Sequence, residues 1–233
     1  MLLKTLREQV LEANLELVGY GLVVHTFGNL SGIDRREGLV AIKPSGVPYP
    51  DLTPEHMVIS DLDGKIVEGN LRPSSDLPTH LELYRHFRNI GGVAHTHSEF
   101  ATSWAQAERP IPCLGTTHAD YFHGAVPVTA RLSSEEIAGD YERTTGDAIC
   151  RTFAKLDSDA IPAVLVAGHA PFCWGETPHD AAHNASILEY VARMAHHTLL
   201  INPDAGPLPR ELHDKHFLRK HGRNAYYGQV KPQ

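Results

Sequence analysis

Apolar residues recur at helical spacing from about Thr5 to Val18, and Gly19 and Gly21 then stop the run, so the chain opens on an amphipathic helix. Short apolar stretches follow at strand length: Leu22 to His25, Leu39 to Ile42, Met57 to Ser60, and Lys65 to Glu68 across an Asp63-Gly64 hairpin turn. Ser75 or Asp76 is placed to cap a helix running towards Phe87. The run Ile90-Gly91-Gly92-Val93-Ala94 predicts a buried strand that ends in His95-Thr96-His97, and a helix follows from about Glu99 to Ala107. Ser133-Ser134-Glu135-Glu136 is a capping-box signature, and Ala163 to Ala167 reads as a second buried strand. Thr177-Pro178 gives a cap and a first-position proline for the longest helix, to about Leu199. A last helix covers about Arg210 to Lys220. The pattern is mixed α/β without repeat or linker, so one domain over 1–233 is expected. It does not order the strands.

Composition narrows the function. With 42% hydrophobic and 21% charged residues, the chain can bury a large core. No apolar stretch approaches the roughly 20 residues needed to span a bilayer, and the N-terminus lacks a signal-peptide core. Cys113, Cys150 and Cys173 are an odd set without paired spacing, which predicts reduced thiols and a cytoplasmic protein. A formal charge of −7 argues against nucleic acid, so any site for an anion must be built locally.

Residues two apart on a strand share a face, so His95 and His97 project together, and neutral imidazole suits zinc. Among 16 histidines such a pair arises by chance and is no site by itself. His169, in the turn Gly168-His169-Ala170-Pro171 after the second buried strand, is a candidate third ligand. Neighbouring strands lie about 4.8 Å apart, which brings strand ends within reach of one another. Asp76 can add a carboxylate or guard the open position, and this donor set fits zinc first, then manganese or cobalt. Lys43-Pro44-Ser45-Gly46 offers an ammonium, a hydroxyl and an unhindered N–H, while Ser74 and Ser75 lie where a helix begins. Each is also an ordinary turn or cap; together, beside a metal constellation, they favour a sugar phosphate. Asp120 lies among apolar and aromatic neighbours, where a raised pKa is expected of a general acid or base.

Lys43-Pro44-Ser45-Gly46-Val47, Pro73-Ser74-Ser75-Asp76, Pro78-Thr79-His80, His95-Thr96-His97-Ser98, Gly115-Thr116-Thr117-His118-Ala119-Asp120-Tyr121 and the tail from Lys215 through Ala225-Tyr226-Tyr227-Gly228-Gln229 resemble the class II aldolase/epimerase (adducin head) family over nearly the whole chain. The resemblance implies a central, mostly antiparallel β-sheet with helices on both faces. It implies Asp76, His95, His97 and His169 as metal ligands, and Asn29, Lys43, Ser45, Gly46, Ser74 and Ser75 as substrate contacts, mostly to phosphate. Asp120 and Tyr227 become the proton-transfer pair, with His216 and Arg219 supporting that end of the site. Two positions depart: Gly168-His169-Ala170-Pro171 stands in place of Ser-His-Gly-Pro, and His123 in place of a frequent tyrosine.

The activity implied is metal-dependent epimerisation at C4, interconverting L-ribulose 5-phosphate and D-xylulose 5-phosphate. The C4 hydrogen is not acidic, so inversion is expected through retro-aldol cleavage of C3–C4, rotation of the aldehyde and rejoining. A C4-symmetric homotetramer with sites between subunits is expected, Tyr227 reaching into its neighbour. The alternative is a sugar-phosphate aldolase of the same fold, which in this family commonly has glutamate where Asp76 stands. A zinc hydrolase, suggested by His179-Asp180-Ala181-Ala182-His183, lacks the usual glutamate and reads better as a solvated helix face. A non-catalytic metal-binding scaffold using pairs such as His196-His197 leaves Lys43 and Asp120 unexplained.

Overall fold

The computed structural model describes residues 1–227, and in it the apolar segments collect into one seven-stranded sheet. The strands are β1 (Asn29–Asp34), β2 (Leu39–Ile42), β3 (Val58–Asp61), β4 (Ile66–Glu68), β5 (Gly92–His95), β6 (Ala163–Leu165) and β7 (Pro171–Gly175). Their order is β4-β3-β2-β1-β5-β7-β6, and all six pairings are antiparallel. Helices cover both faces: α1 (Lys4–Gly19), α2 (Leu77–His86), α3 (Glu99–Gln106), α4 (Thr116–Ala119), α5 (Ser134–Ala138), α6 (Tyr141–Thr152), α7 (Pro178–Ile201) and α8 (Arg210–His221). One buried hydrophobic cluster runs through the whole assembly. No described helix is long and apolar enough to cross a membrane.

Adjacent residues of β1 show how the layers divide. Ser31 faces α2, where its hydroxyl meets His80 and Tyr84. Gly32 faces the other way, towards Leu6 and Val10 of α1 and Pro178 of α7. Register then lines up Gly32, Gly92 and Gly175 across the three central strands. A Cβ on Gly92 would lie 2.6 Å from the Pro178 Cα and from the Thr177 carbonyl, and one on Gly175 would lie 2.5 Å from the Asp180 Cβ. This bare strip lets the start of α7 rest directly on the sheet. The same register places Asn29, His95 and Phe172 in a row on the opposite face, so the sheet's centre presents them together.

The structure corrects several expectations. The segment from Leu22 to His25 is not a strand: the Leu22 N–H closes the end of α1 on the Leu17 carbonyl, and His25 takes φ 55°. Strand β5 ends at His95, so His97 lies beyond the ladder. Strand β7 was not anticipated, and β5 pairs with it while β6 sits at the sheet edge. Helix α6 was also not anticipated. Its sequence is polar and contains Gly146, a poor helix former, but a Cβ there would lie 2.6 Å from the Glu82 Cβ of α2. Close contact between these helices requires the glycine that hides the helix. Gly228 and Gln229 of the tail motif lie outside the described residues.

Gly92→Ala should destabilise the fold by about 1–3 kcal/mol, the usual cost of overpacking. Gly19→Ala, at the open end of α1 with nothing within 4 Å, should be neutral or stabilising. Urea midpoints of the two variants check the contrast.

Candidate metal centre and phosphate cavity

His95 ends β5 with its ring stacked on Phe172 at 4.2 Å between centroids. Its Nδ1 lies 2.9 Å from the Pro171 carbonyl, which can only accept, so Nδ1 carries the proton and Nε2 is free to ligate. His169 occupies the tip of the β6–β7 hairpin, a turn closed by Val166 and Ala170 with Gly168 at φ +69°. Because β7 runs beside β5, this turn delivers His169 to the His95 end of the sheet. The ligand nitrogens of His95, His97 and His169 all lie within 4.8 Å of one another. Burial lowers the pKa of His97, and the neighbouring His95 adds to this. His169 is pushed down to about 4, by burial first and then by His95 and His97. Three imidazoles converging from one strand end and one hairpin suit a divalent ion.

Asp76 directly precedes α2, yet its side chain does not cap the helix. Its Oδ2 instead accepts from the Asn29 amide at 2.6 Å and lies 4.0 Å from His95 Nε2. Burial pushes the carboxyl up, but His95, His80 and Asn29 outweigh it and hold it below the ordinary value. Asp76 is therefore an anion beside the three histidines.

Two loops form the adjoining wall. The Ser45 N–H donates to the Arg72 carbonyl at 2.9 Å and the Ser74 N–H to the Lys43 carbonyl at 3.0 Å, binding the turn after β2 to the approach to α2. Gly46 sits at φ +69°, where a side chain would be strained. Lys43 is almost wholly buried, with Nζ 3.2 Å from the Pro44 carbonyl and 4.8 Å from the Tyr49 ring centre. Burial lowers its pKa, and among the described residues no carboxylate pairs with it. One cavity of about 460 Å³ joins Asn29, Lys43, Ser45, Gly46, Ser74 and Ser75 to Asp76, His95, His97 and His169. Tyr141 and Glu142, at the start of α6, also line it and were missed with their helix; the Tyr141 hydroxyl lies 3.5 Å from His169 Nδ1.

Asp120, His216, Arg219 and Tyr227 are brought together elsewhere and do not line this cavity. Asp120 terminates α4 and faces α8. Its carboxylate accepts from Arg219 Nη2 at 2.8 Å and His216 Nδ1 at 3.0 Å, with Lys220 Nζ at 3.7 Å. The expected raised pKa is thus reversed: burial pushes upward, but these cations and hydrogen bonds outweigh it. Tyr227 is exposed, its N–H donates to the Arg219 carbonyl at 3.1 Å, and the Arg219 guanidinium lies 4.9 Å from its ring centre. His123 pairs with Asp214 of α8 at 2.8 Å. The hydrolase-like pair makes no metal group: His179 bonds Glu16 of α1 at 2.9 Å, tying two helices together, while exposed His183 faces Tyr121.

The chain belongs to the class II aldolase and adducin N-terminal domain family, whose model matches residues 8–196. It is 53% identical over 227 residues to the L-ribulose-5-phosphate 4-epimerase UlaF of Salmonella paratyphi A, and equally to that of Salmonella typhi, covering 97% of this chain and 100% of each relative. Among solved structures, an L-fuculose 1-phosphate aldolase superposes with a TM-score of 0.77 at 25% identity, over 91% of this chain and 94% of that one. YgbL from Klebsiella pneumoniae, a putative aldolase/epimerase/decarboxylase, superposes at 0.72 with 24% identity over 91% and 97%.

Burial holds His80 at about 3 and His118 at about 4, below the roughly 6.5 of an unfolded histidine. Between those limits the unfolded chain takes up protons that the native chain refuses. Stability should therefore be full above about pH 6.5 and fall as pH drops towards 4. Urea midpoints across this range should show the decline, and His118→Gln should flatten it.

Proposed function

We propose that this chain interconverts L-ribulose 5-phosphate and D-xylulose 5-phosphate by inverting C4. The observation that carries this reading is the single cavity in which an uncompensated Lys43 and the Ser45, Ser74 and Ser75 hydroxyls lie beside three convergent histidines. The full-length relationship to 4-epimerases supports it. Lys43, Asn29, the serines and the Gly46 backbone would hold the phosphate, and His95, His97, His169 and Asp76 a divalent ion, zinc first. That ion supplies Lewis acidity to the negative charge left on the C1–C3 fragment.

The protein's own groups do the rest. Removing the C4 hydroxyl proton breaks C3–C4 and leaves glycolaldehyde phosphate and the enediolate of dihydroxyacetone. The phosphate grip retains the aldehyde while it turns by half a rotation. Rejoining the bond forms the inverted C4 alkoxide, which takes a proton from the opposite face. Asp120 and Tyr227 are the two proton-transfer groups in this reading. Because they stand apart from their own chain's cavity, each site takes them from a neighbouring subunit. A head-to-tail ring of four chains repeats that contact. The likeness to an L-fuculose 1-phosphate aldolase favours a second reading, release of the aldehyde.

Incubation with L-ribulose 5-phosphate separates the two. Xylulose 5-phosphate should accumulate without stoichiometric free glycolaldehyde phosphate; the reverse result assigns an aldolase. Asp120→Asn, which removes a proton acceptor, should lower epimerisation by about 10²- to 10⁴-fold with metal content unchanged. Unaltered turnover would return Asp120 to a purely anchoring role.

Assembly is tested by co-expression. Tyr227→Phe and His97→Asn chains should each be nearly inactive alone, and mixed oligomers should recover part of the activity at interfaces that pair two intact halves. Mixed oligomers with no recovery, or a fully active monomer, would place the whole site in one chain.

A further inference from the structure

Behind the metal centre lies a buried polar chain that the reaction scheme does not use. Ser31 Oγ, on the site face of β1, lies 2.7 Å from His80 Nδ1 and 2.8 Å from the Tyr84 hydroxyl, both on α2. His80 is fully buried, one helical turn after Asp76, and its N–H donates to the Asp76 carbonyl at 3.1 Å. Its ring packs edge-on against Phe172, the same ring on which His95 is stacked. His80 Nε2 is buried and has no hydrogen-bond partner. A buried ring nitrogen is costly in that state, so a partner is expected once the site is loaded. Among the described residues the polar contacts of the Asp76 carboxylate all run through Oδ2, leaving Oδ1 available, and neither oxygen lies within 4.0 Å of a His80 ring nitrogen, so the two meet only if the carboxylate shifts. A carboxylate only accepts, which requires a proton on Nε2, with the Ser31 hydroxyl donating to Nδ1 and Tyr84 donating to Ser31.

We propose that His80 is a positioning residue for Asp76: the Tyr84–Ser31 hydroxyl pair fixes its tautomer, and once the site is loaded its Nε2–H takes up the free carboxylate oxygen and keeps the other turned towards the metal. The role is separate from ligation and from phosphate binding, and it rests on the metal reading above. Helix α2 is thereby the bracket that sets the fourth ligand, since Asp76, His80 and Tyr84 follow one another at one-turn intervals.

The test measures zinc affinity of the stripped full-length protein by competition with a chromophoric chelator, with near-UV circular dichroism reporting the fold. Asparagine places its amide where Nδ1 was, and glutamine reaches the place of Nε2. His80→Asn should therefore weaken zinc by about 10- to 100-fold, the usual effect of losing a partner of a metal ligand, and His80→Gln should restore most of that loss. In an Asp76→Ala background His80→Asn should cost nothing further, whereas a general structural role would cost as much there. Tyr84→Phe, which keeps the ring, should weaken zinc in the same direction and serves if the His80 variants do not fold. A folded His80→Asn or Tyr84→Phe chain that binds zinc like the parent overturns the proposal, as does an undiminished loss in the Asp76→Ala background. A parent chain that binds no zinc removes the metal reading itself, a distinguishable outcome.

Discussion

The antiparallel register of β1, β5 and β7 is the constraint on which the molecule depends. Pairing Asn29 with His95 and His95 with Phe172 fixes one face, and because strand side chains alternate it simultaneously fixes the other. On one side this places the amide that holds Asp76, the first histidine of the convergent cluster and the ring beneath it. On the other it aligns three glycines under the start of α7. A slip of one residue would carry His95 into the packing layer and bring larger side chains against Pro178. Scaffold and site are thus set by the same hydrogen bonds.

Most ligand candidates were legible because their chemistry is local: a strand ending in His-x-His, a lysine before a tight turn, serines before a helix. The elements that bring them together were less legible. Strand β7, which explains how His169 reaches His95, begins on a proline and was hidden between the apolar run of β6 and the cap of α7. Helix α6, which contributes Tyr141 and Glu142, is polar because one face is solvated and holds a glycine because the other lies against α2. Periodicity weighs each segment alone, whereas both were decided by a neighbour distant in sequence. The raised pKa expected of Asp120 was overturned for a related reason: its apolar sequence neighbours suggested burial without charge, but α8 returns from about a hundred residues away with Arg219, His216 and Lys220.

Helix α8 has no buried residue and is held by polar contacts, chiefly to Asp120, with His123–Asp214 and a His213 bond to the Phe122 carbonyl beside it. Individually such solvent-screened pairs contribute little, so docking rests on several acting together. The same contacts fix the stretch that ends at Tyr227. Asp120 is therefore both an anchor and, in the proposed reaction, a proton acceptor; its pairing keeps it ionised but also makes it a weaker base than a free carboxylate.

The buried ammonium of Lys43, which pairs with no carboxylate among the described residues, has a kinetic consequence. The chain as a whole carries a formal charge of −7, so a dianionic sugar phosphate approaches against a repulsive long-range field. Within the cavity the Lys43 ammonium attracts the phosphate at short range, beside the Asp76 and Glu142 carboxylates. Dissolved salt screens the distant repulsion strongly and the buried attraction weakly. Rising ionic strength should then quicken arrival while eroding the final hold only a little, the opposite of an enzyme that draws its substrate in from afar.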